Sequence, residues 1–333
     1  MTAFAWTSLS QDRDGALELL DLVASEVTGP NRAEELEGLG KRRSDLVGGK
    51  AAGGLLRGPD GRPWGLALWS VLRGKGRRVS PIYLARAHQN PTDWTTFLTG
   101  LLERSDPAGP VLMFETPLPG FEEAEALALL SPRGFQPYHR FGLSYPPGAP
   151  LPSEPSRTLD RGKIRTVGSE DREPLAALTA VCYADSIDRF LFGEEVEPLA
   201  AARSLLRSLF DGEYGAFAPE ASFGLEVDGR LLGTTLVTRR PNYNLLADVE
   251  VHPSVQGQGH ARRLIRASLK ALAPETDSPL VLAVTKENNV AFRLYQDMGF
   301  VIGQGPFPFW ANPTALGIAS PARASSTERP DAR

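Results

Sequence analysis

The chain has 333 residues, enough for roughly two domains at about 150 residues each. With 41% hydrophobic and 23% charged residues it lies in the ordinary globular range, which excludes wholesale disorder, collagen-like repeats and a coiled-coil rod. A net charge of −4 gives no general attraction to nucleic acid, and the single cysteine, Cys182, excludes an internal disulfide framework or a cysteine-based metal cage.

In chain order, the first half reads as hairpin strands near 52–57 and 63–72, a strand at 79–85, a helix at 93–104, a strand at 110–116 and a helix at 121–130. Five prolines between Pro146 and Pro155 then fix φ and remove N–H donors, so this stretch reads as an extended linker. In the second half, 163–168 reads as a strand, 170–183 and about 197–210 as helices, and 222–227 with 230–238 as a hairpin about Asp228-Gly229. A strand at 245–251, a helix at 259–272, a strand at 280–285, a helix at 288–297 and a strand opening at Phe300 complete it. After Pro313 the residues are small, polar and charged, and the expectation is a disordered tail.

The halves repeat one plan. Asp60-Gly61-Arg62 matches Asp228-Gly229-Arg230, the apolar run after Pro110 matches that after Pro279, and Gly134-Phe135 matches Gly299-Phe300. The offsets are 168, 169 and 165 residues, in the same order, so the chain reads as a tandem duplication of a unit of roughly 150 residues.

The stretch from Val249 to Ala261 is the most informative. A Val249-Glu250-Val251 strand ends at Pro253, a turn bearing Gly257 and Gly259 follows, and a helix with Leu264, Ile265 and Leu269 on one face begins. Glycines at a helix mouth let free amides approach a phosphate, and Arg262 or Arg263 could reach a further one. Alone, the same residues also describe a tight strand-to-helix connection with a solvated basic face. A Rossmann turn would want a third glycine where Arg262 stands, and a Walker loop would want Gly-Lys-Ser/Thr.

Gln256, Gly259 and Ala261 form a Gln-x-x-Gly-x-Ala pattern, followed by the segment Asn288 to Phe300. In order and spacing these two motifs resemble the GNAT superfamily of acyl-CoA-dependent N-acetyltransferases. The resemblance covers about 163–312 and reaches the first half through the repeat. It implies a mixed α/β (α+β) class with two tandem domains, each a twisted, mostly antiparallel sheet flanked by helices. Their expected bounds are 1–147 and 163–312, with the proline-rich linker at 148–162 and the tail at 313–333.

The resemblance also implies acetyl-CoA as co-substrate, held by backbone at Val249, Glu250 and Val251, by the turn Gln256, Gly257, Gln258, Gly259, His260, Ala261 and Arg262, and by Asn288. Tyr295, four residues before Gly299, stands where the family has a tyrosine that protonates the departing thiolate. Related enzymes draw a general base from positions matching Leu245 or Ala283, both apolar here. Asp248 and Glu250 fall on the opposite face by period-2 alternation unless a bulge inverts it, and Asp185, Asp188 and Glu226 are further candidates, so no base is named.

The loop 182–190 is where the resembled fold places acceptor contacts. Cys182 reads as a small buried hydrophobe, and His252 and His260 as structural residues, while His88 and His139 have no evident partner. The first half has neither glycine turn nor tyrosine, with Leu130 at the matching place, so it is expected to keep the fold without the chemistry, as scaffold or as one wall of the acceptor site.

One intact and one degenerate unit is similar to the mycothiol synthase type, although that pattern's carboxylate would fall at Leu245. The expected partner is a small-molecule amine, with no nucleic acid, no membrane and no metal, and a homodimer is open. Alternatives are a protein or peptide N-acetyltransferase and a non-catalytic acyl-CoA-binding regulator. No apolar run approaches 18 residues and the first residues lack a secretory pattern, so the expected location is cytoplasmic.

Overall fold

The computed structural model describes residues 4–29, 32–72, 76–103, 111–114, 118–153, 162–191, 195–273 and 278–318. The first half opens with β1 (Ala5–Ser8), α1 (Arg13–Glu26) and α2 (Arg32–Val47), which the sequence pattern had not announced. Helix α1 starts where Asp12 accepts the Gly15 amide at 3.1 Å, and it buries Ala16, Leu19 and Leu20 along one stripe. Then come β2 (Ala52–Arg57), β3 (Pro63–Leu72), β4 (Gly76–Leu84), α3 (Pro91–Glu103), β5 (Val111–Phe114), α4 (Glu123–Leu130) and β6 (Gln136–Tyr145).

The second half follows the same plan. It runs β7 (Lys163–Thr166), α5 (Arg172–Cys182), α6 (Pro198–Phe210), a short β8 (Ala216–Phe217), β9 (Phe223–Val227), β10 (Arg230–Arg239) and β11 (Asn244–Val251). Then follow α7 (His260–Leu272), β12 (Leu280–Thr285), α8 (Asn289–Asp297), β13 (Val301–Ala311) and α9 (Pro313–Leu316). The β9–β10 hairpin turns on Asp228 and Gly229, with φ of 50° and 74°, the two positive values that a tight two-residue loop demands.

The described strands form one 13-stranded sheet in the order β1-β2-β3-β4-β5-β13-β6-β12-β11-β10-β9-β7, with β8 beside β10. Pairing is antiparallel except for β4 with β5 and β11 with β12. The order shows that the halves trade their last strands. Strand β6 of the first half lies on β12, with Leu280 opposite Tyr145 and Thr285 opposite Arg140. Strand β13 of the second half lies on β5, with Trp310 opposite Phe114. The two exchanged strands also pair with each other, from Val301–Ser144 to Ala311–Gln136.

The two halves thus share one sheet, and the first residues of the expected linker are tied down. The Tyr145 hydroxyl donates to the Pro150 carbonyl at 2.6 Å, and Arg266 Nε donates to the Pro152 carbonyl at 2.9 Å. The rest of the linker, 154–161, lies outside the described residues, as does the tail from 319. The expected tail starts at 313. Helix α9 begins there, capped by Asn312, and Leu316 and Ile318 are buried against Phe190 and Phe309.

In the second half, α5 and α6 cover one face of the sheet, packing on Leu236 and Ala247. Helices α7 and α8 cover the other, packing on Val237, Leu246 and Leu282. Among the described residues no helix is long and apolar enough to cross a membrane.

Candidate active site

Strands β11 and β12 are paired only at Asn244–Leu280 and Leu245–Val281. Beyond those two pairs they diverge, and a cavity of about 540 Å³ fills the gap between Leu246–Val251 and Leu282–Val284. A strand without a neighbour leaves main-chain N–H and C=O groups to be satisfied by whatever enters.

At the far end of β11 the chain makes the glycine turn. Gln256 Nε2 donates to the Val251 carbonyl at 2.9 Å and ties the turn to the strand. Gly257 and Gly259 then take φ of 74° and 80°, in the left-handed region. A Cβ at Gly257 would meet nothing within 4 Å, so conformation rather than crowding calls for glycine there. Helix α7 follows, and its first amide with a backbone acceptor is that of Arg263, bonded to Gly259 at 3.1 Å. Among the described residues the amides of His260, Ala261 and Arg262 have no backbone acceptor, and they open on the cavity at the positive end of the helix dipole. This end of the cavity therefore presents unbonded amide donors. Both ring nitrogens of His260 are buried there without a hydrogen-bond partner, and burial, followed by the nearby Arg263 charge, holds its pKa below the usual value.

Tyr295 reaches the cavity from α8, and the helix end explains its place. The Phe300 amide donates to the Tyr295 carbonyl at 3.0 Å and the Gly299 amide to Gln296 at 2.9 Å, with Gly299 at φ 94°. The Phe300 ring meets the Tyr295 ring edge-on at 5.6 Å between centroids. This is a Schellman closure with its hydrophobic contact, and it is the physical reason for a Gly-Phe pair four residues past the tyrosine. The first half repeats it, with Phe135 donating to Leu130 at 3.2 Å, but Leu130 has no hydroxyl to offer. Burial, then the charges of Asp248 and Asp188, hold the Tyr295 phenol above its ordinary pKa.

The alternation expected for β11 does not survive. Opposite β10, Leu236 pairs with Asp248 and the next residue, Val237, with Leu246, so Ala247 is an extra residue. That bulge inverts the facing of everything after it. Asp248 and Glu250 therefore turn to the α5 side, the face that Leu245 and Ala247 occupy before the bulge. The Tyr183 hydroxyl donates to Asp248 Oδ1 at 3.0 Å, and the Thr179 hydroxyl donates to Glu250 Oε2 at 3.0 Å.

Asp248 and Glu250 are 4% and 3% exposed and both line the cavity. Their other oxygens, Asp248 Oδ2 and Glu250 Oε1, are buried with no donor. One proton held by Glu250 and shared toward Asp248 resolves both. Burial, then the Asp248 charge, pushes Glu250 well above the usual carboxylate range. Burial pushes Asp248 up to about 6, against hydrogen bonds from Glu250, Tyr183 and the Val249 amide that pull it down.

Asp188 completes the acidic side. It sits on the short turn Ile187–Leu191, where it accepts from Thr285 Oγ1 at 2.6 Å and from Arg140 Nη1 at 3.1 Å. Arg140 comes from β6, so a side chain of the first half bonds a residue that lines the second half's cavity. Arg78, from β4, holds the same turn by donating to the Phe190 and Leu191 carbonyls at 3.2 and 2.8 Å.

Of the residues singled out from the sequence, Tyr295, Val249, Glu250, Val251, Gln256, Gly257, Gly259, His260, Ala261, Arg262 and Asn288 all line this one cavity. Gln258 does not line it, and neither does Arg263. Asn288 is also the N-cap of α8, accepting the Ala291 amide at 3.3 Å. Asp185 is exposed and Glu226 is paired with Arg165 at 3.1 Å, so neither belongs to the site. Cys182 lines the cavity, but burial and then the charges of Glu250 and Asp248 raise its pKa.

His252 caps its own turn through Ser254, while His88 and His139, which had no evident partners, are engaged with Asp93 and with Glu287 and Glu123. Thr179 and Arg140 gave no signal, because each acts through a partner distant in sequence, and Tyr183 stood out only as part of the loop 182–190. In the first half, the segment matching the glycine turn carries His88, whose ring stacks on Trp64 at 3.7 Å. Among the described residues no cluster of three or more His, Cys, Asp or Glu could hold a metal ion.

Residues 187–300 match the family model described as "Acetyltransferase (GNAT) family". No curated protein sequence matches the chain. Among solved structures, a GCN5-related N-acetyltransferase from Sphaerobacter thermophilus is 17% identical, with a TM-score of 0.55 over 92% of this chain and 94% of its own. A tandem GNAT protein from the clavulanic acid biosynthesis pathway is 14% identical, with a TM-score of 0.48 over 93% of this chain and 97% of its own. The first likeness extends the fold across both halves. Residues 187–300 thus match the acetyltransferase (GNAT) family, and the plan of the half that contains them is built twice into one sheet.

Proposed function

We propose that the chain is an acetyl-CoA-dependent N-acetyltransferase that acts on the amine of a small molecule, with all of its chemistry in the second half. The observation that carries this reading is the meeting of a buried carboxylate pair, Asp248 and Glu250, with Tyr295 in the single gap between β11 and β12. Acetyl-CoA fits that gap. The open amides of 260–262 and the buried, unpartnered His260 ring suit its phosphates, and the unpaired edge of β11 suits its pantetheine amides. Bound there, it supplies an acetyl group as a thioester.

The roles of the side chains follow from their environment. Asp248, titrating at about 6, is ionised at neutral pH and takes a proton from the incoming ammonium, while Glu250 keeps its own proton and steadies the carboxylate. Tyr295 holds its proton until the C–S bond breaks, donates it to the departing sulfur, and regains one from the second proton that the nitrogen loses as the amide forms. Its raised pKa would make it a weak acid toward a thiolate in water. Inside the cavity the same burial raises a thiol as well, as it does Cys182, so donor and acceptor shift together. Aspartate and glutamate at positions 248 and 250 also remove the main ground for a non-catalytic acyl-CoA-binding reading, which was the lack of a base.

The test is release of free CoA from acetyl-CoA across a panel of amines, short peptides included, with CoA affinity measured beside it. Release that depends on one class of small amine, and that falls about 100-fold in Tyr295→Phe at unchanged CoA affinity, is the expected result. Tight CoA binding with no release for any amine would overturn the enzymatic reading.

A further inference from the structure

A second cavity of about 260 Å³ opens beside the first, sharing with it Tyr183, Asp188, Leu246, Ala247 and Ala283. Small residues at 247 and 283 leave the passage between them clear, and Ala283 is exposed in the middle of β12. The walls of this chamber are apolar, from Leu205 and Leu209 on α6, Leu245 on β11 and the ring of Tyr214. One charged feature interrupts them, the pair formed by Arg140 Nη1 and Asp188 Oδ1 at 3.1 Å. Its side chains are only 21% and 15% exposed.

We infer that this chamber takes the acceptor, and that the acceptor is an α-amino acid with an apolar side chain, its carboxylate directed to Arg140 and its ammonium to Asp188. The inference rests on the acetyl-transfer reading above and adds the substrate class to it. An amino acid carries its two charges on groups attached to one carbon, at a spacing comparable to that of the Arg140–Asp188 pair, so the two ion pairs can lie side by side with opposite signs facing. A few polar groups in an apolar pocket set orientation rather than bulk affinity. Here they would turn the amine toward the passage and Asp248, and leave the side chain among Leu205, Leu209 and Leu245.

The pair is held from both halves. Thr285 and Arg140 bond Asp188 directly, and Arg78 anchors the turn that carries it. The first half, without a phosphate turn of its own, thereby supplies the acceptor's carboxylate site. A polyamine or aminosugar offers Arg140 no anion, and a large peptide does not suit a chamber of this size.

The experiment compares amino acids with their decarboxylated counterparts on the full chain at saturating acetyl-CoA: leucine against isopentylamine, phenylalanine against 2-phenylethylamine, with glycine as the side-chain control. Acetylated products are identified by mass. We expect kcat/KM at least about 100-fold higher for each amino acid than for its amine, and higher for leucine than for glycine. In Arg140→Gln the preference should collapse toward unity, and Arg140→Lys should restore part of it.

Equal use of amine and amino acid, a preference untouched by Arg140→Gln, or acetylation of some other amine class alone would overturn the inference. If Arg140→Gln does not fold, the wild-type ratios decide. Failure of the underlying reading looks different, because then no amine of any class is acetylated, whether or not CoA binds. Acetylation of other amines with none of any amino acid refutes the acceptor class alone.

Discussion

Asp248→Asn should destroy turnover while making the protein more stable. An asparagine of the same shape can still accept the Tyr183 hydroxyl through its carbonyl, and its amide can donate to Glu250 Oε1, which is buried without a donor. What disappears is a buried negative charge. The Asp248 carboxyl titrates at about 6 in the folded chain against 3.8 as the ordinary value. A group raised in this way contributes stability that is fully present below its unfolded pKa and is lost as pH rises through its folded one. Above pH 6 the ionised pair therefore works against folding. A rise of roughly two units at about 1.4 kcal/mol each is about 3 kcal/mol, on the order of 4 °C in Tm for a chain of this size.

Thermal melts of wild type and Asp248→Asn at pH 4, 6 and 8 should give curves that nearly coincide at pH 4 and separate at pH 8, the variant melting higher. In parallel, kcat/KM should fall by about 10² to 10⁴ in the variant, the usual loss when a general base is removed. The wild-type profile should carry a rising limb near pH 6 that the variant lacks. A variant that is less stable at pH 8, or one that turns over normally, would refute the account of Asp248 as a strained, ionised base.

Two further outcomes follow from the cavity walls. Gly259→Glu puts a side chain at φ 80° and a carboxylate on the anion seat, and calorimetry should find CoA binding lost while the far-ultraviolet circular dichroism spectrum is kept. Cys182, whose pKa burial raises, should react with an aromatic disulfide reagent far more slowly than a free thiol, and bound CoA should slow it further; a fast, unprotected reaction would place it elsewhere.

Most elements were legible because their periodicity is local. Strand 52–57, the strands about Asp228-Gly229 and helix 198–210 all stand close to where apolar spacing and turn residues put them. The anion turn was legible for the same reason, since glycines at a helix mouth are a local device. The carboxylate pair was not. Its facing depends on one extra residue, Ala247, and nothing in Leu245-Leu246-Ala247-Asp248 distinguishes a bulge from regular alternation. Arg140 was hidden for a different reason, because its partner Asp188 lies 48 residues away on the other half. The exchange of β6 and β13 was hidden too. Both follow the same Gly-Phe closure, so either could close its own half or its neighbour's as far as sequence tells.

That exchange has a bearing on how the chain is made. Strand β5 ends at Phe114, but the strand that covers its edge ends at Ala311, nearly two hundred residues later. During synthesis at about 5–20 residues per second, the first half emerges complete except for that neighbour and waits on the order of ten seconds or more with an open edge. Contacts of such sequence separation form late and slowly. Termination before β13 would thus expose a strand in the first half, and the protein's yield in a cell should depend on whatever shields β5 until β13 arrives.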